Sequence, residues 1–124
     1  MLKVKINGKD TRIAVLTDLV VINNVESLSI TDNQIAIDDI SALAGMDGKL
    51  NDLDLSGNLI FDVDALVTHK DLVSLNLSNN KITNIGALVT LTKLKDLDLR
   101  GNPIDAKKLG ELRKALPNTT ILFD

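Results

Sequence analysis

A leucine pattern that returns every 22 residues constrains this chain more than any other feature of its sequence. One copy runs through Leu50, Leu53, Leu55, Asn58, Ile60, Val63 and Leu66. Further copies begin 22 residues later at Leu72 and another 22 residues on at Leu94. An upstream copy runs through Val25, Leu28, Ile30, Asn33, Ile35, Ile40 and Leu43. This copy is 25 residues long, and its three extra residues are expected in the outer half of the unit. A fixed period of this length indicates stacked units that bury their apolar faces against one another.

Each copy divides into two halves with different periods. In Leu75-Asn76-Leu77 apolar and polar residues alternate, which is typical of a strand with one buried face. After the asparagine, apolar residues recur at every third position, which favours a 3₁₀ turn or a short helix. Each unit is therefore predicted to be a strand, an asparagine turn, an outer helical segment and a return. Stacking such units gives an α/β solenoid with a curved parallel sheet.

The asparagine of the repeat recurs at one spacing, as Asn33, Asn58, Asn80 and Asn102. A buried amide without hydrogen-bond partners costs roughly 2–7 kcal/mol. Four of them at the same position in the repeat indicate that each side chain bonds to loop backbone. We interpret them as a structural asparagine ladder and not as catalytic residues.

Composition narrows the class of protein. The 124 residues suit one domain, and with 2% aromatics against 44% apolar residues the core must be aliphatic. The absence of cysteine excludes disulfides, thiolate catalysis and cysteine-based zinc sites. A net charge of -3 argues against binding of nucleic acid. No apolar run reaches the roughly 18 residues of a membrane helix, so membrane insertion is not expected. The N-terminus lacks the apolar core of a secretory signal, which favours a cytoplasmic location.

The pattern LxxLxLxxNxIxxIxxLxxL resembles the 22-residue leucine-rich repeat of the SDS22-like and bacterial internalin type. Residues 72–93 match this pattern at every apolar position. The resemblance implies a right-handed solenoid with its parallel sheet on the concave face and short helices on the convex face. It also implies a role in protein–protein interaction, without naming a partner.

The whole chain is interpreted as a single leucine-rich repeat domain. Its parts are a degenerate N-terminal cap repeat (1–24) with LKVKI as its strand, repeats 25–49, 50–71 and 72–93, and a last repeat with a closing helix and strand (94–124). Asp105 can cap a helix from about Ala106 to Leu116, and TILF is the expected final strand.

Side chains that alternate with the inward leucines should point out of the concave sheet. The candidate partner-binding residues are Asp52, Asp54, Ser74, Asn76, Asp96, Asp98 and Arg100. This face is mostly acidic, so we expect a protein partner that carries a basic segment. Arg100, at the edge of the face, could fix the register against a carboxylate of the partner. The chain is expected to be a monomer.

Other functions fit the sequence less well. The stretch NDLDLSGN begins like a calcium loop at Asp52, but the closing position is Val63, which offers no oxygen ligand. His69 is the sole histidine and is expected to be a packed side chain, since no second histidine or cysteine completes a site. We therefore expect no enzyme activity, cofactor or metal. The alternatives are a structural or scaffold domain, an excised part of a larger bacterial surface or effector protein, and, more distantly, metal binding through Asp54, Asn76 and Asp98.

Overall fold

The strands in the described part of the chain form one seven-stranded sheet in the order β2-β1-β3-β4-β5-β6-β7. The computed structural model describes residues 1–31, 33 and 36–124. The strands are β1 (Leu2–Ile6), β2 (Lys9–Ile13), β3 (Ser27–Ser29), β4 (Asp52–Asp54), β5 (Ser74–Asn76), β6 (Asp96–Asp98) and β7 (Thr120–Leu122). From β3 to β7 every pairing is parallel, as the leucine pattern predicts.

The core lies between this sheet and a layer of 3₁₀ helices. Leu28, Leu53, Leu75 and Leu97 stand in register across β3 to β6 and are at most 1% exposed. The 3₁₀ helices on the opposite side are Leu16–Val21, Ser41–Gly45, Asp64–Thr68 and Gly86–Thr90. Each of them contributes a completely buried leucine to the core, namely Leu19, Leu43, Leu66 and Leu88. The predicted arrangement of a parallel sheet facing short helices is confirmed.

The N-terminal end differs from the single repeat-like strand expected in residues 1–24. Strands β1 and β2 form an antiparallel hairpin, and β1 also pairs antiparallel with β3. The connection consists of Asn7 and Gly8, with φ of 51° and 79°. A two-residue hairpin loop of type I′ needs positive φ at both positions, and Asn-Gly supplies it at low steric cost. The sheet is therefore parallel only from β3 onward.

The 25-residue coil places its extra residues in two positions. Ile37 donates its N–H to Asn58 at 3.0 Å, in the same way that Ile60 donates to Asn80 at 3.0 Å. Ile37 thus occupies the position equivalent to Ile60, which puts two extra residues before it and one in the return segment. Ile35, to which the leucine pattern gave this position, lies outside the described residues.

The C-terminal end is closed by the helix α1 (Ala106–Ala115) and by β7. Asp105 caps the helix, since its carboxylate accepts the N–H of Lys108 at 2.9 Å. Leu109 and Leu112 form the buried side of α1, which packs against the 3₁₀ helix Gly86–Thr90 of the preceding repeat. Within the described ranges, none of the helices has the length and apolar character that crossing a membrane requires.

Candidate binding surface on the concave face

The outward side chains of the sheet form three rows that we call the concave surface. The first row is Ser27, Asp52, Ser74, Asp96 and Thr120. The second row is Asp10, Lys5, Ser29, Asp54, Asn76, Asp98 and Leu122. Two residues further along the strands, the third row is Arg12, Lys3, Thr31, Ser56, Ser78 and Arg100. The fold therefore brings together all seven candidate partner-binding residues of the sequence analysis.

Side chains of the second row are tied to the third row of the same coil. Asp54 Oδ1 accepts the N–H and the hydroxyl of Ser56 at 3.0 and 2.7 Å. Asn76 Oδ1 accepts the same two groups of Ser78 at 3.0 and 2.7 Å. Such side-chain turns fix the strand end where it bends into the loop. Asp54 and Asn76 therefore stabilise the coils, whereas Asp52 and Asp96 are exposed.

Arg100 is paired within the molecule. Its Nη2 lies 2.7 Å from Asp98 Oδ2, and its Nε donates to Asp98 Oδ1 at 3.0 Å. The hydrogen bond from the guanidinium is the largest cause that lowers the pKa of Asp98, and the same bond raises the pKa of Arg100. The Asp98 side chain is only 14% exposed. On β3 to β6 the exposed negative charge therefore lies mainly on Asp52, Asp96 and the half-buried Asp54, and in the hairpin the exposed Asp10 adds a further carboxylate.

The hairpin adds three cations to this surface that the sequence analysis did not predict. Lys3, Lys5 and Arg12 are exposed and line a concavity of about 610 Å³, together with Asp10, Ser29 and Asp54 among others. Among the described residues, no carboxylate oxygen lies within 4.0 Å of the three cationic groups. We call these three residues the basic pole. Two features of the sequence could have predicted the basic pole. One is the Asn-Gly turn, and the other is the alternation of lysines with Leu2, Val4 and Ile6.

The repeated asparagines lie apart from the concave surface, in the loops behind the strand ends. Asn80 is buried, donates to the carbonyls of Leu55 and Leu77 at 3.0 Å each, and accepts the N–H of Ile60 at 3.0 Å. Asn58 and Asn102 make equivalent bonds in their own coils. Each of these side chains thus joins its own coil to the preceding one.

Asn33 bonds differently because a hairpin strand precedes its coil. Its Oδ1 accepts the N–H of Lys3 at 2.8 Å, and its Nδ2 donates to the carbonyl of the same residue at 3.2 Å. The side chain is half-buried, whereas those of the other three asparagines are buried. Asn33 therefore fastens the edge of the hairpin to the first parallel coil.

His69 lies in the core, away from the concave surface. It is completely buried, and its Nε2 lies 2.8 Å from the carbonyl of Leu43. Since a carbonyl only accepts, Nε2 carries the hydrogen, and Nδ1 has no partner within the described residues. In the part of the chain that the structure describes, no cluster of three or more His, Asp or Glu side chains could hold a metal ion.

Comparisons with known proteins agree with this architecture. A family model described as leucine rich repeats (2 copies) matches residues 70–118. The crystal structure of internalin C2 from Listeria monocytogenes is 28% identical with a TM-score of 0.68, and the match covers 86% of this chain and 43% of that one. The structure of a leucine-rich repeat protein from Leptospira interrogans is 26% identical with a TM-score of 0.74, and that match covers 87% of this chain and 28% of the other.

No curated protein sequence matches the chain. The chain spans less than half the length of each of the two solved structures. The 22-residue period, the parallel sheet facing 3₁₀ helices and these likenesses together show that the chain has a leucine-rich repeat fold.

Proposed function

We propose that this chain is a non-enzymatic interaction module that binds a segment of a partner protein on its concave surface. The observation that carries this proposal is the row of outward polar side chains held in register across four parallel strands, β3 to β6. A rigid sheet that presents exposed groups at regular intervals suits an extended ligand, and concave sheets are the usual binding surfaces of solenoids.

Charge, rather than an apolar anchor, is the basis of recognition in this proposal. Asp52 and Asp96 are exposed in the first row, with the half-buried Asp54 beside them. The chain has no Trp or Tyr, the residues in which binding hot spots are enriched. Exposed charges mainly steer association and set specificity, so binding should be fast and sensitive to salt. A partner with a basic segment fits this part of the surface.

The test is a charge reversal of Asp52→Lys together with Asp96→Lys. Among the described residues neither side chain makes a hydrogen bond or an ion pair, so the circular dichroism spectrum should not change. The matched control, Asp64→Lys with Glu111→Lys, makes the same change of charge at exposed sites outside the concave surface. Proteins captured from a lysate of the source organism are compared between the wild-type chain and both variants.

We expect a specific protein to be retained by the wild type and the control but lost by the concave variant. If a partner is lost by the control variant and kept by the concave variant, the partner binds on the convex side and the proposal is wrong. If no captured protein distinguishes the variants, the second candidate is favoured, namely a structural segment of a longer solenoid. The short coverage of both solved relatives is the observation that supports this alternative.

A further inference from the structure

The charges of the concave surface are separated into two regions. The basic pole, Lys3, Lys5 and Arg12, occupies the hairpin end. Asp52 and Asp96, which we call the acidic pole, lie in the first row on β4 and β6. Arg100 and Asp98 neutralise each other at 2.7 Å, so the uncompensated charge of β6 is that of Asp96. Among the described residues, cations therefore predominate at the hairpin end, where Asp10 lies beside Lys5, and carboxylates predominate on β4 and β6.

Within the basic pole, two cations face each other across the hairpin. Lys3 and Arg12 are direct cross-strand partners on the exposed face. Like charges placed directly opposite destabilise an antiparallel pair. In the second row, Lys5 has a carboxylate beside it, that of Asp10. The described members of the third row include no carboxylate, so Lys3 and Arg12 have no counter-charge in their own row. A bound anion would relieve the repulsion between Lys3 and Arg12.

The distance between the poles exceeds the reach of electrostatic neutralisation. From β1 to β4 is two strand spacings, about 10 Å, at which opposite unit charges attract by only about 0.4 kcal/mol in water. The Debye length at physiological ionic strength is about 8 Å. As far as the described residues are concerned, neither pole neutralises the other, so each can pair with its own charged group of a ligand.

We propose that the concave surface recognises an extended protein segment of mixed charge, with an acidic side chain between Lys3 and Arg12 and a basic side chain over Asp52 and Asp96. The inference rests on the proposed function and adds the acidic half of the ligand. From the third row to the first is four residues, about 13 Å along a strand, and two strand spacings are about 10 Å across. The diagonal is about 16 Å, which an extended peptide covers with about five residues.

Synthetic peptides labelled with fluorescein test the inference by anisotropy. The mixed peptide carries Glu-Glu and Lys-Lys separated by a four-residue spacer of serine and threonine, so that the nearest Glu and Lys stand five residues apart. Its companions shorten the spacer to one residue or replace Glu-Glu by Lys-Lys. In 50 mM salt we expect the mixed peptide with the long spacer to bind the wild-type chain about tenfold more tightly than the lysine-only peptide, because both poles are then engaged.

The variant Lys3→Glu with Arg12→Glu should abolish this preference and bind the lysine-only peptide more tightly than the mixed one. The variant exchanges one like-charge pair in the hairpin for another, so the midpoint of thermal unfolding of the chain should not fall. The control, Lys70→Glu with Lys107→Glu, makes the same change of charge at exposed sites elsewhere and should keep the preference.

The outcomes separate the two proposals. If the lysine-only peptide binds, depends on Asp52 and Asp96, and equals the mixed peptide in affinity, the proposed function stands and the mixed-charge inference is wrong. If the preference for the mixed peptide survives the Lys3→Glu and Arg12→Glu changes, the basic pole is not the site of the acidic side chain. If no peptide binds, both the electrostatic basis of the proposed function and this inference fail.

Discussion

Asn80→Ala removes one of the buried side chains that join neighbouring coils, and its cost follows from the bonds that are lost. The N–H of Ile60 has Asn80 Oδ1 as its acceptor at 3.0 Å and no other among the described residues, in a residue that is 0% exposed. In the variant the carbonyl of Leu55 still accepts a hydrogen bond from Asn58 Nδ2, and that of Leu77 from Asn102 Nδ2, both at 2.9 Å. An unpaired buried donor costs about 1–3 kcal/mol, and two bonds lost from carbonyls that keep a partner add about 1 kcal/mol. We expect a loss of about 2–4 kcal/mol in the free energy of unfolding.

The matched control for this change is Asn84→Ala. Asn84 also accepts a backbone N–H, that of Gly86 at 3.0 Å, but at an exposed position where water can replace it. Its loss should cost less than about 1 kcal/mol. Since the chain has no Trp or Tyr, unfolding in urea is followed by far-ultraviolet circular dichroism, with an unchanged m-value as the condition for comparison. Equal losses for the two variants would refute the reasoning.

Four further substitutions test other parts of the structure. His69→Leu should leave the free energy of unfolding unchanged or raise it, because the buried Nδ1 without a partner is removed; a loss above about 1 kcal/mol in urea would contradict this. The pKa of Asp98 is lowered by its bond from Arg100, so its contribution is present above about pH 4 and is lost as the pH falls through the folded-state value. Asp98→Asn should therefore lose less stability than the wild type between pH 7 and pH 3 in thermal melts, and a parallel decline would argue against the pair. Gly101→Ala should cost more than about 1 kcal/mol, because φ is 74° and a Cβ would collide with a neighbouring amide oxygen, whereas Gly110→Ala in α1 should gain about 0.5–1 kcal/mol. Urea titration of both glycine variants gives the comparison.

The parallel coils could be predicted because their determinants are local and repeated. Leu53, Leu75 and Leu97 recur at a constant interval, and every copy carries the same alternation, so one unit predicts the next. The hairpin could not be found in the same way, because aligning residues 1–24 with the repeat forces a single strand onto them. The sequence contains the Asn7-Gly8 pair that favours a hairpin turn, but it also contains the apolar spacing of a repeat. Which of the two structures is more stable depends on packing in the folded chain, which sequence spacing does not encode.

The charge of the concave surface was less predictable than its position. Strand alternation places Asp98 and Arg100 on one face, two residues apart, whether or not they touch. Their pairing depends on side-chain rotamers at the point where the strand bends, which spacing does not encode. For the same reason the sequence gives no sign that Asp54 bonds to Ser56 and so stabilises its own coil.

The bonds of the asparagines also give the stack a direction. Asn102 Oδ1 accepts the N–H of Ile82, and Asn80 Oδ1 accepts the N–H of Ile60. The loop of one coil therefore gains all its hydrogen bonds only after the following coil has formed. In the last coil the equivalent N–H, that of Ile104, bonds instead to the backbone carbonyl of Asn102 at 2.9 Å. A truncation after any earlier coil would therefore end in a loop that has lost its acceptor. Neighbouring coils should consequently unfold together as one cooperative unit, and a shortened chain should stay folded best when the segment around Asn102 and Ile104 is kept as its final coil.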